Sequence, residues 1–366
     1  MIIELDRSIT SNLTDLSDSE LLTLTAIATS RARGFNFVIA NKRDLLAMSE
    51  FIDLGKPARA IFRKIYNDQT QWANALSTFG FKVRIVKQNT VIKEVMEDGV
   101  KIITISLQQS LDYKVDDKPS IIAENLTDIK FYTAIVKSYL ASIRFGNMNI
   151  SYNPVNGGGG TTKDVVETHY NECSGISLCL LDSDIESPWL SYGNTAQNVI
   201  DIIPEQPYAR YVVTHSREAE NIIPLKILDH FGSNNSSLRS RIDKFKKLSK
   251  VVVQGNMPIK YVDFKKGIKN HLLKCDCPTT KQFWYDSFVE SGIIKTCNNT
   301  TPCTSMKKCT CFLADGLGTD LLKSTVAYLA DNNFDYQDID AYMKTEWDHI
   351  CKEVSSYIIA PNKAVS

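Results

Sequence analysis

The strongest constraint on this chain is a recurring arrangement in which short apolar runs stop abruptly at an acid or a glycine-rich turn, with helix-length segments between them. Residues 120–125, SIIAEN, run apolar into Glu124, and helical spacing of apolar side chains follows from Thr127 to Ile143. Residues 149–155 lead into Asn156 and four glycines, Gly157, Gly158, Gly159 and Gly160, and then into a helical pattern from about Thr162 to Tyr170. Ile176 to Leu181 ends at Asp182, Ser183 and Asp184, and Tyr211 to Val213 leads to Arg217, Glu218, Ala219, Glu220 and Asn221. Strands alternating with helices at this spacing predict a parallel sheet with right-handed crossovers. Functional groups of such sheets collect beyond the carboxyl ends of the strands. Glu124, Asp182 and Asp184 all fall at that edge.

A second α/β pattern precedes this one. Residues 2–5 and 35–40 read as short buried strands around a helix from Ser19 to about Ala32, and a further helix from Pro57 to Leu76 is followed by strands at 81–86 and 100–105. Asp6, just after the first strand, stands where some PIN-like and Rossmann-like domains carry a metal-binding acid, but a lone Asp there is more often a turn or cap residue. The polar stretch from Asp112 to Pro119 reads as a linker. With 366 residues, 43% of them apolar and 23% charged, the chain is long enough for more than one core. The expected division is an N-terminal α/β domain at 1–112, a second α/β domain at 118–232, and a helical C-terminal region at 233–366.

Two aspartates one residue apart at a strand exit can turn toward one ion, and a third acid on a neighbouring strand completes an oxygen-rich site. Mg²⁺, or Mn²⁺, takes such hard ligands and keeps waters for a phosphate. Carboxylates this close repel unless a cation compensates them. Glu124 is then the candidate general acid or base, with a metal polarising a phosphoryl oxygen. The glycines permit a crowded turn at positive φ and, before a helix, also present N–H groups to phosphate.

The order IIAENLTDIKFY, PVNGGGG, LCLLDSD and REAEN resembles the TOPRIM domain of OLD-type nucleases and of related TOPRIM-like proteins of phage-defence operons. The resemblance implies a TOPRIM-like Rossmannoid sheet, catalytic and Mg²⁺-binding roles for Glu124, Asp182 and Asp184, and a further metal ligand at Glu220. It differs at Asn125, where most members have glycine. It also implies a nuclease cutting DNA or RNA as an antiviral or toxin-like effector, working with a partner ATPase or regulatory protein of its operon. The alternative is a non-catalytic regulator that keeps the TOPRIM shape and senses nucleic acid or a partner.

Six basic residues lie between Arg239 and Lys250, with Leu238, Ile242, Phe245 and Leu248 among them at helical spacing. This amphipathic helix nominates Arg241, Lys244, Lys246 and Lys247 for phosphate contacts, which would weaken with salt. Asp263 and Lys265 form a D-x-K tripeptide, a common sequence with little weight alone. Six of the nine cysteines, Cys275, Cys277, Cys297, Cys303, Cys309 and Cys311, fall between positions 275 and 311. Four thiolates make a closed structural Zn²⁺ site, with His271 as a substitute ligand, although the C-x-C and C-x5-C spacings leave the choice of four open.

Lys and Arg balance Asp and Glu at 42 each, so nucleic-acid contact must come from a local patch. The start, MIIELDRSIT, lacks the flank and apolar stretch of a signal peptide, and no run approaches the ~20 apolar residues of a membrane span. A cytoplasmic protein without membrane contact is expected, its thiols reduced unless metal-bound.

Overall fold

A computed structural model describes residues 1–88, 90–172, 175–203, 208–269, 272–273, 275–293, 312–332 and 334–364. Cys297, Cys303, Cys309, Cys311 and His271 lie outside the described residues, so the expected zinc cluster does too; Cys275 and Cys277 are partly exposed free thiols. The chain forms two compact units, one of residues 1–180, 199–212 and 349–366, the other of residues 181–198 and 213–348.

The elements begin β1 (Ile2–Leu5), α1 (Arg7–Thr10), α2 (Asp18–Arg33), β2 (Phe37–Ala40), α3 (Lys42–Glu50), α4 (Gly55–Leu76), β3 (Phe81–Val86), β4 (Lys93–Glu97), β5 (Val100–Ser106) and α5 (Leu107–Asp112). They continue with β6 (Ser120–Ala123), α6 (Leu126–Ser142), β7 (Asn149–Ile150), β8 (Asn153–Asn156), α7 (Thr162–Asn171), β9 (Ser177–Leu181), α8 (Asn194–Ile202) and β10 (Ala209–Val213). After these come α9 (Leu225–Gly232), α10 (Ser236–Leu248), β11 (Gly267–Lys269), α11 (Pro278–Ser291), β12 (Phe312–Asp315), α12 (Leu321–Asp331), α13 (Ala341–Ile358) and β13 (Ile359–Ala360).

In the first unit, one sheet has the order β2-β1-β3-β5-β4, parallel except for β4 at its edge. Strand order reverses around β1, since β2 lies on one side of it and β3 on the other. Helix α2 starts and stops where its sequence says it should. Ser17 and Glu20 form a capping box, and Gly34 ends the helix at φ 74°. A second sheet has the order β10-β9-β6-β8, with β6 parallel to both β8 and β9. Strands β6 and β9 are buried along their whole lengths, as their unbroken apolar runs require. The chain is therefore α/β, with one mixed sheet, one parallel sheet and two antiparallel pairs of strands, β11-β12 and β13-β7, among the described residues. Residues 112–119 are tied down: the buried Asn36 amide donates to the carbonyls of Val115 and Asp117 at 3.4 and 2.8 Å.

The second unit is mostly helical and centres on aromatic contacts. Phe245 packs edge-on to Phe264, and Trp284 lies between Phe283 and Phe288. Among the described residues, no helix is long and apolar enough to cross a membrane.

Candidate functional site

The polar centre of the second unit is built on two loops, one following β9 and one following β10. In the first, Ser183 is fully buried and fastens the turn: its N–H donates to Thr214 Oγ1 at 3.0 Å and its hydroxyl to the Ser216 carbonyl at 2.7 Å. Asp182 and Asp184 therefore flank an anchored residue. Asp184 adopts φ 54°, a left-handed conformation in which Asp is among the less disfavoured side chains. Its N–H donates to the Arg217 carbonyl at 2.9 Å. Gly193 closes the same loop through its N–H to the Ser183 carbonyl at 2.8 Å, and a Cβ there would come within 2.5 Å of Asp184 Cβ.

The second loop is held as firmly. The Ser216 N–H and hydroxyl both donate to the buried Glu346 carboxylate, at 2.8 and 2.5 Å. Asn221, also buried, accepts the Glu218 N–H and donates to the carbonyls of Ile259 and Val262. Asp182 Oδ1 accepts the Ala219 N–H at 3.0 Å, which joins the two loops.

Lys265 lies beside this second loop. Its ammonium sits 3.4 Å from Glu218 Oε2 and 3.2 Å from Glu220 Oε1. Arg217 pairs with Glu186 at 2.9 Å and lies 3.5 Å from Glu218 and 3.7 Å from Asp263, while Lys266 is 3.8 Å from Asp263. Glu218, Glu220 and Asp263 are buried. Six carboxylates (Asp182, Asp184, Glu186, Glu218, Glu220 and Asp263) thus share three cations (Arg217, Lys265 and Lys266).

The electrostatics follow from burial opposed by charge. Desolvation lifts the Glu220 carboxyl to about 7 against the pull of Lys265, and its Oε2 is buried without a hydrogen-bond partner. Burial pulls the Lys265 ammonium down, but Glu220, Glu218 and Asp182 outweigh it and hold it above its ordinary value. Partial desolvation raises the Asp184 carboxyl, with Arg217, Lys265 and Lys266 acting against the rise.

Of the residues read from sequence, Asp182, Asp184 and Glu220 share this unit. Glu124 belongs to the first unit, half-buried at the exit of β6, where its carbonyl accepts the Gly158 N–H at 2.9 Å. The four glycines there form the expected turn. Gly158 and Gly159 take φ 76° and 65°, and a Cβ on Gly157 would meet Thr162 Oγ1 at 2.5 Å and the Ala123 carbonyl at 2.9 Å. The Thr161 and Thr162 hydroxyls donate back to the carbonyls of Gly157 and Gly159, and no side chain caps α7.

The basic helix divides by role. Arg241 donates to the Gly316 carbonyl at 2.7 Å and Lys246 pairs with Asp229 at 2.7 Å, so these two serve internal contacts. Lys244 and Lys247, with Arg239, line a surface groove of about 450 Å³ on α10. Lys265 and Asp263 had only the D-x-K tripeptide as a signal in the sequence, and Glu218 only its place in the stretch Arg217 to Asn221.

The donor set is all oxygen and carries more negative than positive charge, which suits a hydrated Mg²⁺ or Mn²⁺. Among the described residues, no three His, Cys, Asp or Glu side chains are grouped closely enough to ligate one ion directly. Waters would therefore complete any metal shell here. No family model, curated protein or solved structure matches the chain.

Proposed function

We propose that the protein is a TOPRIM-like, Mg²⁺- or Mn²⁺-dependent nuclease whose chemistry is carried by Asp182, Asp184, Glu218, Glu220 and Lys265. The observation that carries this reading is the shared network of six carboxylates and three cations on two pinned loops. Excess negative charge fixed beside a strand exit costs stability unless a cation occupies it, and a hydrated divalent ion next to a lysine is the arrangement a phosphodiester needs.

A divalent ion, when bound, would supply charge stabilisation at the phosphoryl oxygens and a more acidic water. The chain's own residues do the rest. Asp182, fixed by the Ala219 N–H, and Asp184, fixed by its turn, would hold such an ion through its waters. Lys265 places a positive charge beside the acids and is held there by Glu218 and Glu220. Glu220, whose carboxyl burial lifts to about 7, holds or releases a proton beside Lys265. Lys244, Lys247 and Arg239 on α10 take the phosphate backbone. By the sequence resemblance, the role is that of a cytoplasmic antiviral or toxin-like effector with a partner ATPase or regulatory protein. The regulator reading gains support from the same geometry, because Lys265 already neutralises two acids.

The test offers plasmid, single-stranded DNA and tRNA to the purified protein with Mg²⁺ or Mn²⁺. Metal-dependent cutting of at least one substrate is expected. No cutting with either ion, together with retained binding of any of the three, would replace the nuclease by the regulator.

A further inference from the structure

We infer that the first unit holds a separate site for a small cationic ligand that offers hydrogen-bond donors, in a cleft at the carboxyl ends of β1 and β2. The cleft has a volume of about 540 Å³, within the range of small-molecule sites, and is lined by Asp6, Arg7, Asn41, Asp44, Gln69 and Arg84 among others. It opens beyond the carboxyl ends of two parallel strands, the edge at which α/β sheets receive ligands.

Its acceptors outnumber its donors. Asp44 is only 7% exposed; its Oδ1 accepts the Thr10 hydroxyl at 2.6 Å, while Oδ2 is buried with no hydrogen-bond partner. Gln69 donates through Nε2 to the Ala40 carbonyl at 2.8 Å, and its Oε1 is likewise buried and unpartnered. Asp6 uses Oδ1 to cap α1 through the Ser8 N–H. The neighbouring Arg84 is committed to Glu4 and Glu97. A buried acceptor without a donor costs stability, so the fold retains here a cost that a donor-bearing ligand relieves.

The charges select the ligand's sign. Glu4, Asp6 and Asp44 face Arg7 and Arg84 across the lining, and Arg84 is held by Glu4 and Glu97, so the cleft keeps one more acid than base; an apolar ligand would leave both orphan oxygens unpaired. A cation that donates, either an organic ammonium or guanidinium or a divalent ion through its waters, satisfies both requirements. The Asp6 carboxylate in the first β-to-α turn also argues against a dinucleotide, whose pyrophosphate would sit there.

The test titrates the full-length protein calorimetrically and by melting temperature with MgCl₂, MnCl₂, spermidine and arginine amide, against NaCl at matched ionic strength. At least one of the four is expected to bind saturably and raise the melting temperature above the NaCl control. The metal and amine arms separate the two sources. Asp44→Asn keeps an acceptor for Thr10 and should weaken binding about tenfold or more, the loss of one charge-assisted hydrogen bond. Asp6→Asn, which preserves the cap, should weaken it in the same direction and carries the test if Asp44→Asn fails to fold. The MgCl₂ and MnCl₂ arms are run on the Asp182→Asn/Asp184→Asn background, which removes the donors of the second unit's acidic network, so that the saturable binding read there belongs to the cleft. No binding beyond the NaCl control, or undiminished affinity in the Asp44 and Asp6 variants, would overturn the inference.

Discussion

Replacing Glu220 by Gln should make the metal-free protein more stable at alkaline pH and leave it unchanged in acid. The carboxyl ionises near 4.5 in the unfolded chain and at about 7 in the folded one, because burial disfavours its charge. Below pH 4.5 it is protonated in both states and contributes nothing. Between 4.5 and 7 the unfolded chain has released a proton that the folded chain keeps, so stability falls as pH rises, and above 7 the penalty is constant. Each pH unit is worth about 1.4 kcal/mol, so the 2.5-unit window amounts to roughly 3 kcal/mol. Gln keeps the shape without the charge. The gain at pH 8 should be somewhat below that figure, since Lys265 loses one of its two partners and keeps Glu218 at 3.4 Å. Urea unfolding of both proteins in EDTA from pH 4.5 to 8 measures it. A difference between variant and wild type that is the same at pH 5 and pH 8 would refute the reasoning.

Other perturbations separate the parts of the account. Ser216→Ala removes a donor from the buried Glu346 carboxylate and should cost about 1–3 kcal/mol, read as a fall of several degrees in melting temperature. Lys244→Ala with Lys247→Ala should weaken nucleic-acid binding and reduce the slope of log K against log salt by about 2 on duplex DNA, whereas Lys246→Ala, whose charge is held by Asp229, should leave that slope alone. Elemental analysis should find about one zinc per chain if the cysteines hold a structural ion. Finding none, with unchanged melting after chelation, would discard that ion.

What could be read from the sequence was what depends on local pattern. Unbroken apolar runs at 121–123 and 178–181 are buried strands because no polar side chain interrupts either face. The acids at their ends were visible because they break those runs. The edge strand β4, Lys-Glu-Val-Met-Glu, was not legible: only its central Val95 is even half-covered, so its sequence carries no alternating core pattern. The network around Lys265 was hidden for a different reason. Residues 217–220 and 263–266 meet through turns fixed by Asn221 and Ser216, and nothing in either segment's own sequence encodes that meeting. Arg241 and Lys246 resembled exposed phosphate contacts because helical spacing places them on the flank of the apolar stripe. It cannot show that Gly316 and Asp229 lie within reach.

The central claim is that Asp182 and Asp184 serve chemistry more than folding, and the most direct measurement is the cleavage rate of Asp182→Ala/Asp184→Ala beside its melting temperature. Alanine relieves like-charge repulsion but orphans the buried Ala219 N–H and strains the turn at φ 54°, so melting should fall by no more than several degrees and the variant should stay folded. Losing the donors that position the ion should reduce cleavage by orders of magnitude. A double variant that cuts as fast as wild type, on a substrate wild type demonstrably cuts, would contradict the account.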